Sequence, residues 1–73
     1  QQVTAQAESI DPGRGQDYLG LFDAAVRTFD LSTNPSSFDF ANRAAELAKQ
    51  HGLSPAAAFA AATTYWKQIM NRN

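Results

Sequence analysis

The stretch Lys49-Gln50-His51-Gly52-Leu53-Ser54-Pro55-Ala56 ends one helix and starts another within four residues. Lys49 and His51 carry or can carry positive charge near a helix C-terminus, where the macrodipole favours it. Gly52 supplies the left-handed conformation that closes a helix, and apolar Leu53 follows it. Ser54 is then a good N-cap, and Pro55 suits the first helical position, where a missing N–H costs nothing. The stretch therefore predicts two helices packed side by side through a tight turn.

Working back from it, Ser36 or Ser37 is expected to cap the upstream helix, with Asp39 in the first turn. Phe40, Ala44, Leu47 and His51 form one stripe, with Ala41, Ala45 and Ala48 beside it. Working forward, Phe59, Ala62, Trp66 and Ile69 share a face. The alanines at 56, 57, 58, 60, 61 and 62 favour helix and permit close approach of a neighbour. Further upstream, Tyr18, Leu19, Phe22, Ala25, Val26 and Phe29 recur at three- and four-residue spacing, with Asp17 as the expected cap. Ser32-Thr33-Asn34-Pro35 should stop that helix near Asp30 or Leu31.

Residues 1–16 hold only Val3 and Ile10 as sizeable apolar side chains, before the turn Asp11-Pro12-Gly13-Arg14-Gly15. They read as a flexible or loosely docked N-terminal arm or linker, with room for a short helix around Val3–Ser9. The expected fold is all-α: a three-helix bundle over 17–73, with helices near 17–30, 37–51 and 55–71. No alternating β-branched run suggests a sheet.

Composition limits what such a domain can do. The chain has 73 residues and 7.9 kDa, which allows one small domain of modest stability. Fourteen of its apolar residues are alanine, and Leu, Ile, Val and Phe also total fourteen, so aromatic side chains must supply much of the core volume. The absence of cysteine excludes disulfides, thiol nucleophiles and zinc–thiolate sites. A single histidine, His51, excludes a histidine-rich metal centre, and no apolar run is long enough to span a membrane. The chain begins Gln1-Gln2, as a processed product, a fragment or a trimmed chain would, and its compartment is left open.

No catalytic, cofactor-binding or metal-binding residue is assigned. His51 lies three residues before Ser54, yet each is explained by its helix end, and no orienting acid accompanies them. Asp30-x-Ser32-x-Asn34 lacks the glycine and glutamate of an oxygen-rich calcium loop. Gly13-Arg14-Gly15 lacks the lysine and hydroxyl of a phosphate loop. The run Ala48, Gly52, Leu53 resembles the turn of a helix-turn-helix, but Ser54, Pro55, Ala56, Ala57, Phe59 and Ala60 offer almost no side-chain donors for base edges. A nucleic-acid-associated module is therefore the alternative reading.

Charge is segregated. Residues 1–40 carry Glu8, Asp11, Asp17, Asp23, Asp30 and Asp39 against Arg14 and Arg27, a net −4. Residues 41–73 carry Arg43, Lys49, Lys67 and Arg72 against Glu46, a net +3. Opposite halves favour internal packing or contact between copies. The aromatic supply exceeds what three apolar stripes can bury: Phe38 and Phe40 point about 200° apart on a helix, and Tyr65 and Trp66 are adjacent. Exposed aromatic surface marks partner sites. The expected function is a non-enzymatic protein–protein interaction module, either an accessory subunit or a domain of a larger protein, binding another protein or a second copy. The expected partner-binding residues are Ala56, Ala57, Ala60, Ala61, Tyr65, Trp66, Ile69 and Met70.

Overall fold

The computed structural model describes residues 2–71. The chain is all-helical among these residues: α1 is Gln2–Ile10, α2 Gly15–Arg27, α3 Ser37–Gln50 and α4 Pro55–Met70, with a 3-10 turn at Leu31–Thr33. No described helix is long and apolar enough to cross a membrane.

The α3–α4 corner follows the local chemistry. Ser36 Oγ accepts the Asp39 N–H and the Asp39 carboxylate accepts the Ser36 N–H, forming a reciprocal capping box. At the other end, Gly52 adopts φ +74°, and the Leu53 N–H reaches back to the Ala48 carbonyl at 2.8 Å. Ser54 Oγ accepts the Ala57 N–H, and Pro55 occupies the first turn of α4. The two helices run antiparallel, so Phe40 near the start of α3 stacks on Tyr65 and Trp66 near the end of α4.

The N-terminal segment, expected over 1–16 as a flexible or loosely docked arm, carries a helix, and the described residues hold four α-helices where three were expected. Helix α1 packs on α2 and α4 and buries Val3 and Ala7. The docking face is built on a four-residue spacing that includes an alanine, while Ile10 remains 46% exposed. Ala7 has no bulk to project, so the helices approach closely there. Gln6 and Thr64 join α1 to α4 by a side-chain hydrogen bond. At the turn, Gly15 N–H donates to Glu8 Oε2 at 3.2 Å.

Helix α2 also begins earlier than expected. Its N-cap is Arg14, which makes no side-chain capping bond, and Asp17 lies inside the first turn rather than at the cap. The carboxylate still faces the positive end of the helix dipole. The helix closes at Arg27, short of Asp30, because Asp30 caps the 3-10 turn instead. Asp30 Oδ1 accepts the N–H and hydroxyl of Ser32, and these bonds hold its carboxyl below the usual range. The Asp30–Asn34 segment is thus a capping loop, with Asn34 in the left-handed region at φ +52°.

The core is aromatic at its centre and alanine-lined at its helix crossings. Tyr18, Phe22 and Phe40 are fully enclosed, together with Ala41, Ala44, Ala48, Ala57, Ala58, Ala61 and Ala62. Phe22 meets Phe40 edge-on at 6.3 Å, and Phe29 meets both Phe40 and Trp66 edge-on, geometries that aromatic pairs prefer.

Candidate functional site

Helix α4 packs against α1, α2 and α3, so most of its circumference is used inside the domain. Ala57, Ala58, Ala61, Ala62, Tyr65 and Trp66 are buried. Of the eight residues expected to bind a partner, Ala57, Ala61, Tyr65 and Trp66 therefore lie in the core. Trp66 is 5% exposed and stacks on Phe40 with ring centres 5.0 Å apart. Tyr65 packs on Phe22 and Phe40, and its hydroxyl donates to the Asp23 carboxylate. Both aromatics find cover from α2, the segment that follows it and α3: Tyr65 meets Phe22 and Phe40, and Trp66 meets Phe29 and Phe40. Ile69 is half-buried against the core, Ala60 is partly open, and Ala56 and Met70 are exposed.

What remains outward on α4 is one lane. At about 100° per residue, Ala56, Phe59, Ala60, Thr63, Lys67 and Met70 fall within one side of the helix. Ala56, Lys67 and Met70 are exposed, whereas Phe59, Ala60 and Thr63 are partly so. The Thr63 hydroxyl donates back to the Ala60 carbonyl at 2.8 Å, so the lane's main polar group is the Lys67 ammonium.

Helix α3 contributes a parallel lane of Phe38, Asn42, Ala45 and Lys49, residues that also fall on one side at helical spacing. Phe38 is 62% exposed. Its ring is nonetheless held against Phe59, with centroids 5.7 Å apart and planes at 80°. This aromatic pair, open at Phe38 and half-buried at Phe59, joins the two lanes into one surface. The expected site set omitted Phe38, Phe59, Lys49 and Lys67. The signal for Phe38 was its two-residue offset from Phe40, which forces the two rings to opposite sides of α3.

Shallow grooves among the described residues include three more, the last of them reaching Met70 at one end of the α4 lane. One of about 500 Å3 is lined by Arg14, Asp17, Leu21, Ala24, His51 and Leu53. A second, about 400 Å3, is a polar seam between α1 and α4, and a third, about 290 Å3, lies between Pro35 and Met70. In the first, His51 and Asp17 line a common wall, but the Ser54 hydroxyl oxygen is engaged in capping α4. Among the described residues, no three His, Asp or Glu side chains converge on a point where they could hold a metal ion.

The α3–α4 corner has the connectivity of a helix-turn-helix, yet the open part of the first turns of α4 presents Pro55, Ala56, Phe59 and Ala60. Such side chains cannot donate or accept at base edges. No family model matches the chain, and no curated protein or solved structure is significantly similar to it.

Proposed function

We propose that this domain is a non-enzymatic protein-interaction module whose contact surface is the outer face of α3 and α4. The observation that carries the reading is the Phe38–Phe59 pair: a large aromatic left 62% exposed, yet oriented by a ring contact before any partner arrives. An ordered aromatic anchor loses little conformational freedom on binding, and such residues dominate interface energetics. Ala45, Ala56 and Ala60 around it keep the surface low enough for a partner backbone to approach. Helices α2–α4 form the working bundle, and α1 is a brace held beside α4 by Val3, Ala7 and the Gln6–Thr64 bond.

The test is site-specific cross-linking in the cells that make the protein. A photoreactive phenylalanine analogue at position 38 should give discrete protein adducts that the same analogue at exposed Gln16 on α2 does not. Adducts at neither position, or the same adducts at both, would remove the reading. A random duplex that binds at low salt and is released as salt rises would instead favour the helix-turn-helix alternative.

A further inference from the structure

The charged side chains within the two lanes, Lys49 and Lys67, are both cations. Lys49 follows Phe38 by eleven residues on α3, and Lys67 follows Ala56 by eleven on α4, so each lies about 20° from the start of its own lane. Both lysines are exposed, and neither forms an ion pair among the described residues. Because α3 and α4 are antiparallel, Lys49 sits at the end near the Gly52 turn and Lys67 at the opposite end. The acidic residues of α3, Asp39 and Glu46, lie about 80–100° further round the helix from Phe38. Among the described residues the surface is therefore a largely apolar strip, interrupted by Asn42, with a cation at each end and no carboxylate in either lane.

We propose that this strip docks an acidic amphipathic helix from a protein partner. The inference rests on the interaction-module reading and names the partner's chemistry. Apolar side chains at i, i+3, i+4 and i+7 of that helix would pack around Phe38, Phe59 and Met70 and over Ala45, Ala56 and Ala60. Carboxylates near its two ends, spaced by roughly three helical turns, would face Lys49 and Lys67. The small residues set the close approach, the rings supply the anchor, and the lysines fix which partner is accepted.

A defined probe tests this on the intact protein. A capped, labelled 16-residue helical peptide carries Leu and Phe at those apolar positions and Glu on the remaining surface, and its twin carries Lys in place of Glu. Fluorescence anisotropy should show the acidic peptide binding and the basic twin failing to bind. Lys49→Glu with Lys67→Glu should weaken the acidic peptide by about tenfold and admit the basic twin. Phe38→Ala should weaken it by more than about fivefold, and circular dichroism should show all variants fully helical. Equal binding of both peptides, binding of neither, or indifference to the lysine reversals would overturn the inference. Concentration-dependent self-association abolished by Phe38→Ala would overturn it in favour of a second copy as occupant. If the peptides fail but position 38 still cross-links to a protein, the partner's chemistry is wrong and the module reading stands; if both fail, that reading falls as well.

Discussion

The Tyr18 hydroxyl accepts the Ser54 N–H at 2.7 Å, tying the middle of the bundle to the first residue before α4. The same hydroxyl donates to Asp11 Oδ2 at 2.5 Å, so one fully enclosed phenol joins the α1–α2 turn to the α3–α4 turn. Arg14 Nε stands 3.9 Å from the other Asp11 oxygen. This bridge positions both the brace helix and the N-terminus of the helix that carries Phe59.

Tyr18→Phe keeps the ring and removes only the bridge. It leaves the Ser54 N–H and the Asp11 carboxylate without that partner, and should cost about 1–3 kcal/mol in urea unfolding. Because α1 loses one of its ties, amide exchange should rise in α1 more than in α3.

The same hydroxyl gives a pH signature. Burial, reinforced by the bond to Asp11, raises the Tyr18 pKa above its ordinary value of 10.0. A folded-state pKa raised above the unfolded one means that folding favours the neutral phenol. Its contribution is complete below about pH 10 and is lost as pH climbs from there through the raised folded value. Thermal melts taken across that range should fall more steeply for the parent chain than for Tyr18→Phe.

Two glycines of α2 should respond differently to alanine. A Cβ at Gly20 meets nothing within 4 Å, so Gly20→Ala should stabilise by up to about 1 kcal/mol through helix propensity. At Gly15 the added Cβ would lie 2.6 Å from Glu8 Oε2, the oxygen that accepts the Gly15 N–H. Gly15→Ala must displace that carboxylate and should lack the gain. Paired urea titrations check both.

Helix α1 offers a contrast between two alanines. Ala7 is fully enclosed at its crossing, so Ala7→Leu should overpack the seam and cost about 1–3 kcal/mol. Exposed Ala5 lines the open side of the same helix, and Ala5→Leu should stay within about 0.5 kcal/mol. Equal, negligible effects would mean that the segment is the loose arm its composition suggested.

The helix ends of α3 and α4 were legible because single residues encode them: Ser36, Asp39, Gly52, Ser54 and Pro55 each perform the capping role their chemistry suits. The α1 docking was not legible. A search for large side chains picks Val3 and Ile10, whereas the buried pair is Val3 and Ala7, and alanine carries little signal in a chain with fourteen of them. The burial of Tyr65 and Trp66 is not legible for a separate reason: neighbours in sequence, they point in different directions, and only the tertiary placement of Phe22, Phe29 and Phe40 covers both. The opposite directions of Phe38 and Phe40 were geometric, and here the pattern held: Phe40 is enclosed and Phe38 is open. The two lysine ends of the strip were invisible for a different reason, since only the tertiary pairing of α3 with α4 brings Lys49 and Lys67 onto one surface.

Helix α4 turns its indole inward and presents the Phe59 side outward. Trp66 is the sole tryptophan, so its fluorescence reports the orientation directly. Its emission should be blue-shifted and poorly quenched by acrylamide in the free protein. The exposed substitution Phe38→Ala should leave that emission unchanged. Emission like that of free indole in water, with efficient quenching of a fully helical chain, would contradict this orientation and return Trp66 to the partner surface.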